Sequence, residues 1–565
     1  MDRALPRTWI VILALAIGAM CWGRGFPLIE PDEGRNVEVA REMAREGDFV
    51  LPHLNGLPYL DKPAAYFVTV AMALRIFGGS EQAARLPSLL FTLGAAALTW
   101  RLGRRLQRGA GEIGAIALLT MPLVLAFSRT VIFDSALLFI ETLTLYAAWR
   151  VFEGEVDAGP WAAFAWAAMG AGAIVKGPVA ILVPVLIVVA FGLGAGVPLR
   201  PFFRLAAWPW LFATGLPWFL VVSLRRPDFP RYAFIYESLE RVGTQNHARG
   251  GPIWYFVPVA LAASFPWCVP AIGAAARGWR ARGLRRTAEG RAATFLAAWA
   301  LVPLVFFSLS QSKLPGYYLP ALPGIALAAA LSLARAAGQP DAERPPLAAT
   351  RVAGILLIVI GIALVPVGAY AVDWLPTEIQ RQEFPGFALD YGVVLGVIGV
   401  GTVAAAARRH VRVALFALAL PTIAIPVTGG PLLDAVARGR SSRTLARAIE
   451  ARAPGATVVG IRSWPTSLRY YLDRPVLLST ANGGEMTSNY VVSRLAEFRD
   501  LEHTPLRPDG WWRERLEACP EPTVFVARRH TTADSVLAGR LPLIANGGAD
   551  ERFAAYGPCR PAAGR

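Results

Sequence analysis

Ala64-Ala-Tyr-Phe-Val-Thr-Val-Ala-Met-Ala-Leu-Arg-Ile-Phe77 is the stretch on which the topology turns. A helix that crosses the hydrocarbon core needs about 20 mostly apolar residues. This run is shorter, and it carries Arg75. Leaving it out gives thirteen expected spans, near residues 8–24, 86–104, 111–129, 134–151, 160–176, 178–197, 204–223, 253–274, 292–309, 318–336, 351–371, 389–407 and 411–428. From a cytosolic start, Arg101-Leu-Gly-Arg-Arg105, Arg200 with Arg204, the series from Arg277 to Arg291, and Arg408-Arg409 then all face the cytosol. Counting Ala64–Phe77 as a span would put that whole series outside. The positive-inside bias therefore makes it an amphipathic or re-entrant helix at the membrane surface.

Composition supports the same class. The chain is 55% hydrophobic and 17% charged, with a mean hydropathy of +0.44. Those values describe a polytopic α-helical membrane protein. A net charge of +16 could suggest nucleic acid. The arginine clusters instead punctuate apolar spans and read as loop anchors, so no nucleic-acid partner is expected. Met-Asp-Arg-Ala-Leu-Pro-Arg7 before an apolar run resembles a signal peptide without a convincing small-residue cleavage site. It reads as an uncleaved first helix that starts in the cytosol.

The expected organisation is a membrane domain over 1–428, including a first outside loop at 25–85, and a polar tail over 429–565. An odd number of spans puts that tail outside, which in a bacterium is the periplasm. The tail reads as a small α/β domain. Ser441–Ala453 has helical spacing, and Thr457–Ile461, Val476–Leu478 and Thr523–Ala527 read as short buried strands. It shows no catalytic signature. Cys519 and Cys559 lie in it, where a disulfide can form if the tail is outside the cytosol. Cys21 and Cys268 lie in apolar spans, and no cysteine spacing is of the metal-binding kind.

Of 56 basic residues only three are lysine: Lys62, Lys176 and Lys313. A compact ammonium binds phosphate as a point charge, which a guanidinium does not replace. The expected topology puts all three toward the outside face. Glu30-Pro-Asp-Glu-Gly-Arg35 opens the first outside loop. Asp32 fits a helix N-cap, and it also fits a general base or a group that orients an acceptor. Arg35, one turn on, could pair with it or bind phosphate. Tyr59-Leu-Asp-Lys-Pro63 puts Asp61 beside Lys62, and neighbours on an extended segment point to opposite faces. The pair is either solvated or shared between a phosphate and a metal or hydrogen bond.

Asp134 follows Ser128-Arg-Thr-Val-Ile-Phe133 at the join of two spans, as a cap or a functional acid. His247 lies in Arg241-Val-Gly-Thr-Gln-Asn-His247, and as a metal ligand it would need a carboxylate partner such as Asp61. Ser310-Gln-Ser-Lys-Leu-Pro-Gly-Tyr-Tyr-Leu-Pro320 holds Lys313 with Tyr317 and Tyr318 beside a helix break. These are either a snorkelling lysine with belt tyrosines or phosphate donors. Together the cations suit a lipid-linked phosphate, and the carboxylates suit a sugar hydroxyl or a developing cationic sugar centre.

The chain resembles the GT-C glycosyltransferases that use polyprenyl-phosphate sugars. Within them it is similar to bacterial lipid A 4-amino-4-deoxy-L-arabinose transferases and related protein mannosyltransferase-like enzymes. Pro31-Asp-Glu-Gly-Arg35, Val39-Ala-Arg-Glu-Met43, Leu54-Asn-Gly-Leu-Pro-Tyr59, Asp61-Lys-Pro63, Ala84-Arg-Leu-Pro-Ser88, Phe133-Asp134, Lys176-Gly177, His247 with Pro252-Ile-Trp-Tyr255, and Ser312-Lys-Leu-Pro315 carry the resemblance. It implies thirteen spans and a periplasmic C-terminal domain in the bacterial inner membrane. The donor is an undecaprenyl-phosphate-linked sugar, and the acceptor is lipid A or another envelope molecule. No nucleotide cofactor is implied.

The resemblance makes Asp32 the principal catalytic carboxylate and Asp134 a second acid. Arg35, Lys62, Lys313, Lys176 and Tyr317 become ligands of the lipid phosphate. Asp61 and His247 match positions that hold a divalent metal, zinc by donor type, although the family's acid there is usually Glu. A lipid-sugar flippase would need polar groups through the membrane interior, and a receptor reading leaves the charged set unexplained.

Overall fold

The computed structural model describes residues 7–154, 157–233, 250–280, 287–338, 344–548 and 550–560. The chain forms two compact units. One, the bundle, joins Met1–Gly23, Pro87–Tyr370 and Pro385–Gly430; the other joins Arg24–Leu86, Ala371–Phe384 and Pro431–Arg565.

The protein is a polytopic α-helical membrane protein. Eight helical segments among the described residues are long and apolar enough to cross a membrane: Asp134–Glu153, Ala158–Lys176, Leu205–Arg225, Ala288–Leu309, Pro315–Arg335, Pro346–Tyr370, Glu378–Ala407 and Val411–Thr428. Two pairs broken by bends of 64° and 115°, Ala110–Leu119 with Pro122–Ser128 and Ile253–Ser264 with Cys268–Ala276, raise the number to ten. The other three expected spans have helical counterparts that miss the length or composition of a crossing. Arg7–Cys21 has 15 residues and Val179–Ala195 has 17. Glu81–Leu106 carries Arg101, Arg104 and Arg105 in its last turns.

The interior of the bundle is set by composition. Asp134–Glu153 is 89% buried along its apolar window, against 17% for Leu205–Arg225, so polar groups on the former face protein and not lipid. Arg344–Tyr370 and Glu378–Ala407 touch through glycines seven apart on each. A Cβ on Gly354 would lie 2.9 Å from the Gly399 carbonyl oxygen, and one on Gly361 would lie 2.5 Å from that of Gly392. Small residues allow this backbone approach.

In the second unit the first loop packs with the tail, where the sequence reading had grouped residues 25–85 with the membrane domain. Glu30 draws the two together. Its carboxylate accepts from the hydroxyls of Ser442 (2.5 Å) and Ser467 (2.6 Å) and from the Ser467 N–H (3.0 Å). Gly34 makes the close fit, since a Cβ there would stand 2.7 Å from the backbone nitrogen of Ser467. Leu54-Asn-Gly-Leu57 is a hairpin between strands β1 (His53–Leu54) and β2 (Leu57–Pro58). Asn55 and Gly56 take φ of 57° and 76°, as a primed two-residue turn requires.

The helix Ala65–Phe77 has 13 residues, so it rises about 20 Å, less than the hydrocarbon thickness of about 30 Å. It buries Tyr66, Phe67, Val70, Ala71 and Leu74 and packs on the helix Asp32–Glu46. Met72, Ile76 and Phe77 stay exposed on the other side.

The tail is α/β as expected. Its three expected strands, β3 (Thr457–Ile461), β4 (Val476–Ser479) and β6 (Thr523–Arg528), lie in a six-stranded sheet ordered β5-β4-β3-β6-β8-β7. β5 (Leu506–Arg507), β4, β3 and β6 run parallel, and β7 (Leu543–Gly547) and β8 (Phe553–Cys559) close the sheet antiparallel. The expected helix is Arg443–Arg452, with Leu445, Ala446 and Ile449 buried. A disulfide joins Cys519 to Cys559 at the end of β8.

Candidate active site

The expected site residues fall into two sets, one in each unit. In the loop-and-tail unit the neighbours Asp32, Glu33 and Arg35 begin the helix Asp32–Glu46 but point to different surroundings. Asp32 does not cap this helix: it lies inside the first turn after Pro31 and makes no cap hydrogen bond. Its carboxylate accepts from Arg35 at 2.6 Å and its side chain is 43% exposed. Glu33 turns inward instead. It accepts the Ile29 N–H at 2.9 Å and both prongs of Arg85 at 2.9 and 2.8 Å. Arg85 is wholly buried; it also donates to the carbonyls of Arg24 and Phe26, each at 2.7 Å, and lies 3.6 Å over the Phe26 ring. The Ala84-Arg-Leu-Pro-Ser88 motif is thus scaffold for the loop that carries Asp32.

Arg35 also donates to Thr487 Oγ1 at 2.9 Å and lies 5.9 Å from the Tyr59 ring centre. Burial alone would lower its guanidinium, yet the facing Tyr59, Asp32 and Asp61 outweigh burial and hold it above its ordinary value. Asp61 is buried, and its two oxygens accept the backbone N–H groups of Asn489 (3.0 Å) and Tyr490 (2.9 Å). It therefore ties the loop to the tail. Lys62 beside it is half-buried. No group of three His, Cys, Asp or Glu side chains that could hold a metal occurs among the described residues, and His247 lies outside them.

In the bundle, Asp134 opens the helix Asp134–Glu153 and also makes no cap bond. It accepts from Lys176, the last residue of Ala158–Lys176, at 2.6 Å. The Lys176 ammonium lies 5.1 Å from the centre of the Tyr317 ring, and the Tyr317 hydroxyl is 3.3 Å from Ser312 Oγ. Gly316 lets these groups meet, because a Cβ there would stand 2.6 Å from Phe127 and 2.9 Å from an Asp134 oxygen. Lys313 is placed differently. It is buried, and its ammonium donates to the carbonyls of Ser308 (2.8 Å), Ser310 (2.7 Å) and Phe307 (3.4 Å). It closes the C-terminus of Ala288–Leu309, a helix end that favours a cation. To hold a phosphate it would have to exchange those carbonyls.

One acid in this set was missed by the sequence reading. Glu141 is buried two turns below Asp134 on the same helix, within the electrostatic reach of Lys176 and Asp134. Neither of its carboxylate oxygens has a hydrogen-bond partner among the described residues. Its signal in the sequence is an acid in the middle of an apolar span, which is by default functional. In each set, then, a carboxylate and a cation are held together. Such a pair can orient an acceptor on one side and neutralise a phosphate on the other.

Comparison with known proteins gives the chain's family and fold. Residues 61–223 match the family model of dolichyl-phosphate-mannose-protein mannosyltransferases. Several curated relatives are undecaprenyl phosphate-alpha-4-amino-4-deoxy-L-arabinose arabinosyl transferases. That of Serratia proteamaculans is 32% identical over 58% of this chain, which spans 59% of the relative's length. That of Pseudomonas paraeruginosa is 31% identical over 70% of this chain and 69% of the relative. A crystal structure of ArnT from Cupriavidus metallidurans bound to undecaprenyl phosphate superposes with a TM-score of 0.80 at 23% identity, over 97% of both chains. The fold is that of a polytopic helical membrane protein with a small α/β unit, as in that structure. The chain belongs to the family of undecaprenyl phosphate-alpha-4-amino-4-deoxy-L-arabinose arabinosyl transferases.

Proposed function

We propose that the chain transfers one sugar, 4-amino-4-deoxy-L-arabinose or a close analogue, from undecaprenyl phosphate to a lipid A phosphate. The transfer takes place at the outer face of the bacterial inner membrane. The relatives' names support the donor and the sugar. The observation that carries the reading is Asp32: a carboxylate excused from capping, partly exposed, and held 2.6 Å from a guanidinium.

In this reaction an acceptor oxygen attacks the anomeric carbon. The bond from that carbon to the phosphate oxygen breaks, and undecaprenyl phosphate leaves with the electron pair. A phosphate acceptor needs little deprotonation at neutral pH, so Asp32 orients groups and stabilises positive charge on the sugar. The cations Arg35, Lys62 and Lys176, with the Tyr317 hydroxyl, are the candidates for stabilising the leaving phosphate; Asp134 holds the Lys176 ammonium in place. Lys313 joins them on leaving its helix end. A divalent metal, zinc by donor type, belongs to this reading with Asp61 and His247 as protein ligands. It would supply positive charge beside the phosphates. Asp61 already accepts two backbone N–H groups, so a metal would share its carboxylate with them. The Cys519–Cys559 disulfide supports a tail in the oxidising periplasm, and the expected thirteen crossings would then put the N-terminus in the cytosol.

Mass spectrometry of lipid A from cells with and without the protein tests the reading, with Asp32→Asn as the control. A pentosamine-type mass on a lipid A phosphate, reduced by about 10²–10⁴-fold in the variant with folding intact, is the expected result. Unchanged lipid A moves the acceptor to a protein or another glycan, and full activity of Asp32→Asn removes that residue from the chemistry.

A further inference from the structure

A cleft of about 460 Å³ opens in the loop-and-tail unit, and none of the residues assigned above to the candidate active site lines it. Four arginines form its walls. Arg41 and Arg45 stand four residues apart on the helix Asp32–Glu46, and Arg443 and Arg447 stand four apart on Arg443–Arg452. Residues at that spacing share one helix face, and like charges there repel. Two helices thus each present a repelling pair to the same space.

Two carboxylates offset part of this charge. Asp473 is shared by Arg41 and Arg45, and Glu81 takes Arg443 at 3.2 Å. Behind the wall Glu38 takes Arg41 at 2.7 Å. The excess therefore sits at the rim, where Arg45, Arg443 and Arg447 meet only Asp473 and Glu81. Arg447 is exposed and has no ion-pair partner among the described residues. The two tyrosines in the lining are already committed through their hydroxyls, Tyr470 to the Gly79 carbonyl at 2.9 Å and Tyr471 to Glu81 at 3.1 Å. Their rings remain as aromatic wall.

Guanidinium forks match phosphate oxygens in geometry and charge. The volume lies within the range of about 300–1,000 Å³ usual for small-molecule sites, well beyond what one phosphate group needs. We propose that this cleft binds a phosphorylated sugar headgroup, with its phosphate held among Arg45, Arg443 and Arg447. A soluble sugar phosphate and a phosphorylated glycolipid share this chemistry. The cleft lies apart from the residues assigned to the donor; a glycolipid occupant rests on the acceptor reading above, and the soluble probe tests the cleft without it.

The test is calorimetric titration of the purified full chain in detergent. The probes are glucosamine 1-phosphate, unphosphorylated glucosamine, and a monophosphorylated glucosamine-disaccharide lipid in mixed micelles. Binding of either phosphorylated probe, weakened at least about tenfold by Arg45→Gln with Arg447→Gln and by added salt, is the expected result. The soluble probe binding alone identifies a sugar phosphate as the occupant, and the micellar probe binding alone identifies a glycolipid; either upholds the cleft. Equal binding of glucosamine, equal binding by the double variant, or no binding of either phosphorylated probe overturns it. Undecaprenyl phosphate, titrated in parallel, is expected to bind the double variant as it binds the parent. A matching loss there overturns the claim of a separate site. Both substituted side chains point away from the core, and an unchanged melting temperature confirms that the variant is folded.

Discussion

In the bundle, the helix Asp134–Glu153 carries two buried carboxylates, Asp134 and Glu141, beside the single ammonium of Lys176, and Glu141 lacks a hydrogen-bond partner among the described residues. In the other unit, the helix Asp32–Glu46 buries Glu33, Glu38 and Glu42, and each meets an arginine. Glu33 pairs with Arg85, Glu38 with Arg41 and Arg469, and Glu42 with Arg469 and with the N–H groups of Asn55 (2.6 Å) and Gly56 (2.9 Å). Charge that is buried and fully partnered is scaffold. Charge that is buried and left short marks a place where a partner arrives during function. The contrast separates residues expected to cost stability from residues expected to cost activity.

Arg85→Ala is the largest expected blow to stability. It takes the arginine from Glu33 in a dry site and removes the donor of three loop carbonyls, those of Arg24, Phe26 and Pro27. Breaking a buried pair costs about 3–5 kcal/mol, so purified protein should show a markedly lower melting temperature and faster proteolysis of the first loop. A variant as stable as the parent would dissolve the contrast.

Lys176→Gln probes the other side of it. Activity per folded molecule should fall by about 10²–10³-fold, the usual cost of one positioned donor to developing charge. Melting should move less than for Arg85→Ala. If Lys176→Gln instead unfolds the protein and spares turnover, the bundle's charges are scaffold as well.

Gly34→Ala sharpens the account of the loop. The added methyl meets Ser467 and Thr466, so the loop must shift from the tail, at a cost of about 1–3 kcal/mol. Hydrogen exchange of the 29–35 amides should rise, and unaltered protection would disprove the close fit.

The smallest effect expected is a pH dependence. Burial pushes the Glu30 carboxyl above its ordinary value of 4.5, and the Ser442 and Ser467 hydroxyls only partly offset that. An acid raised in the folded state binds its proton more tightly there than in the unfolded chain. Its contribution to stability is complete below the ordinary carboxylate value and is lost as pH rises through the raised one. Melting of the parent should therefore decline as pH climbs above the carboxylate range, and Glu30→Gln should flatten that decline. An equal slope in both proteins would rule Glu30 out as its source.

Much of this was legible beforehand, and in places the reason is specific. Hydropathy located the eight to ten membrane-crossing helical segments among the described residues, while Arg7–Cys21 and Val179–Ala195, expected as crossings, prove short of a full span, as Ala65–Phe77 does. β3, β4 and β6 were readable because parallel strands buried on both faces are written as continuous apolar runs. β8 was not. Phe553-Ala-Ala-Tyr-Gly-Pro-Cys559 contains a glycine and a proline that argue against a strand, and it is held there by β6, β7 and the disulfide to Cys519. Of the two roles open to Asp32, the cap is excluded only by the backbone, which puts Pro31 at that position.

By itself the amino-acid sequence determined the class of protein, the order of its elements and the short roster of charged residues worth watching. Burial of apolar runs and the spacing of charge are local properties that composition and period express directly. Which carboxylate is scaffold and which is left available was decided only by the tertiary structure. Glu33 and Asp32 are adjacent in the chain, yet one faces Arg85, 52 positions away, and the other faces partly outward. Partner identity at that separation depends on how the chain returns to itself, and no local pattern encodes it.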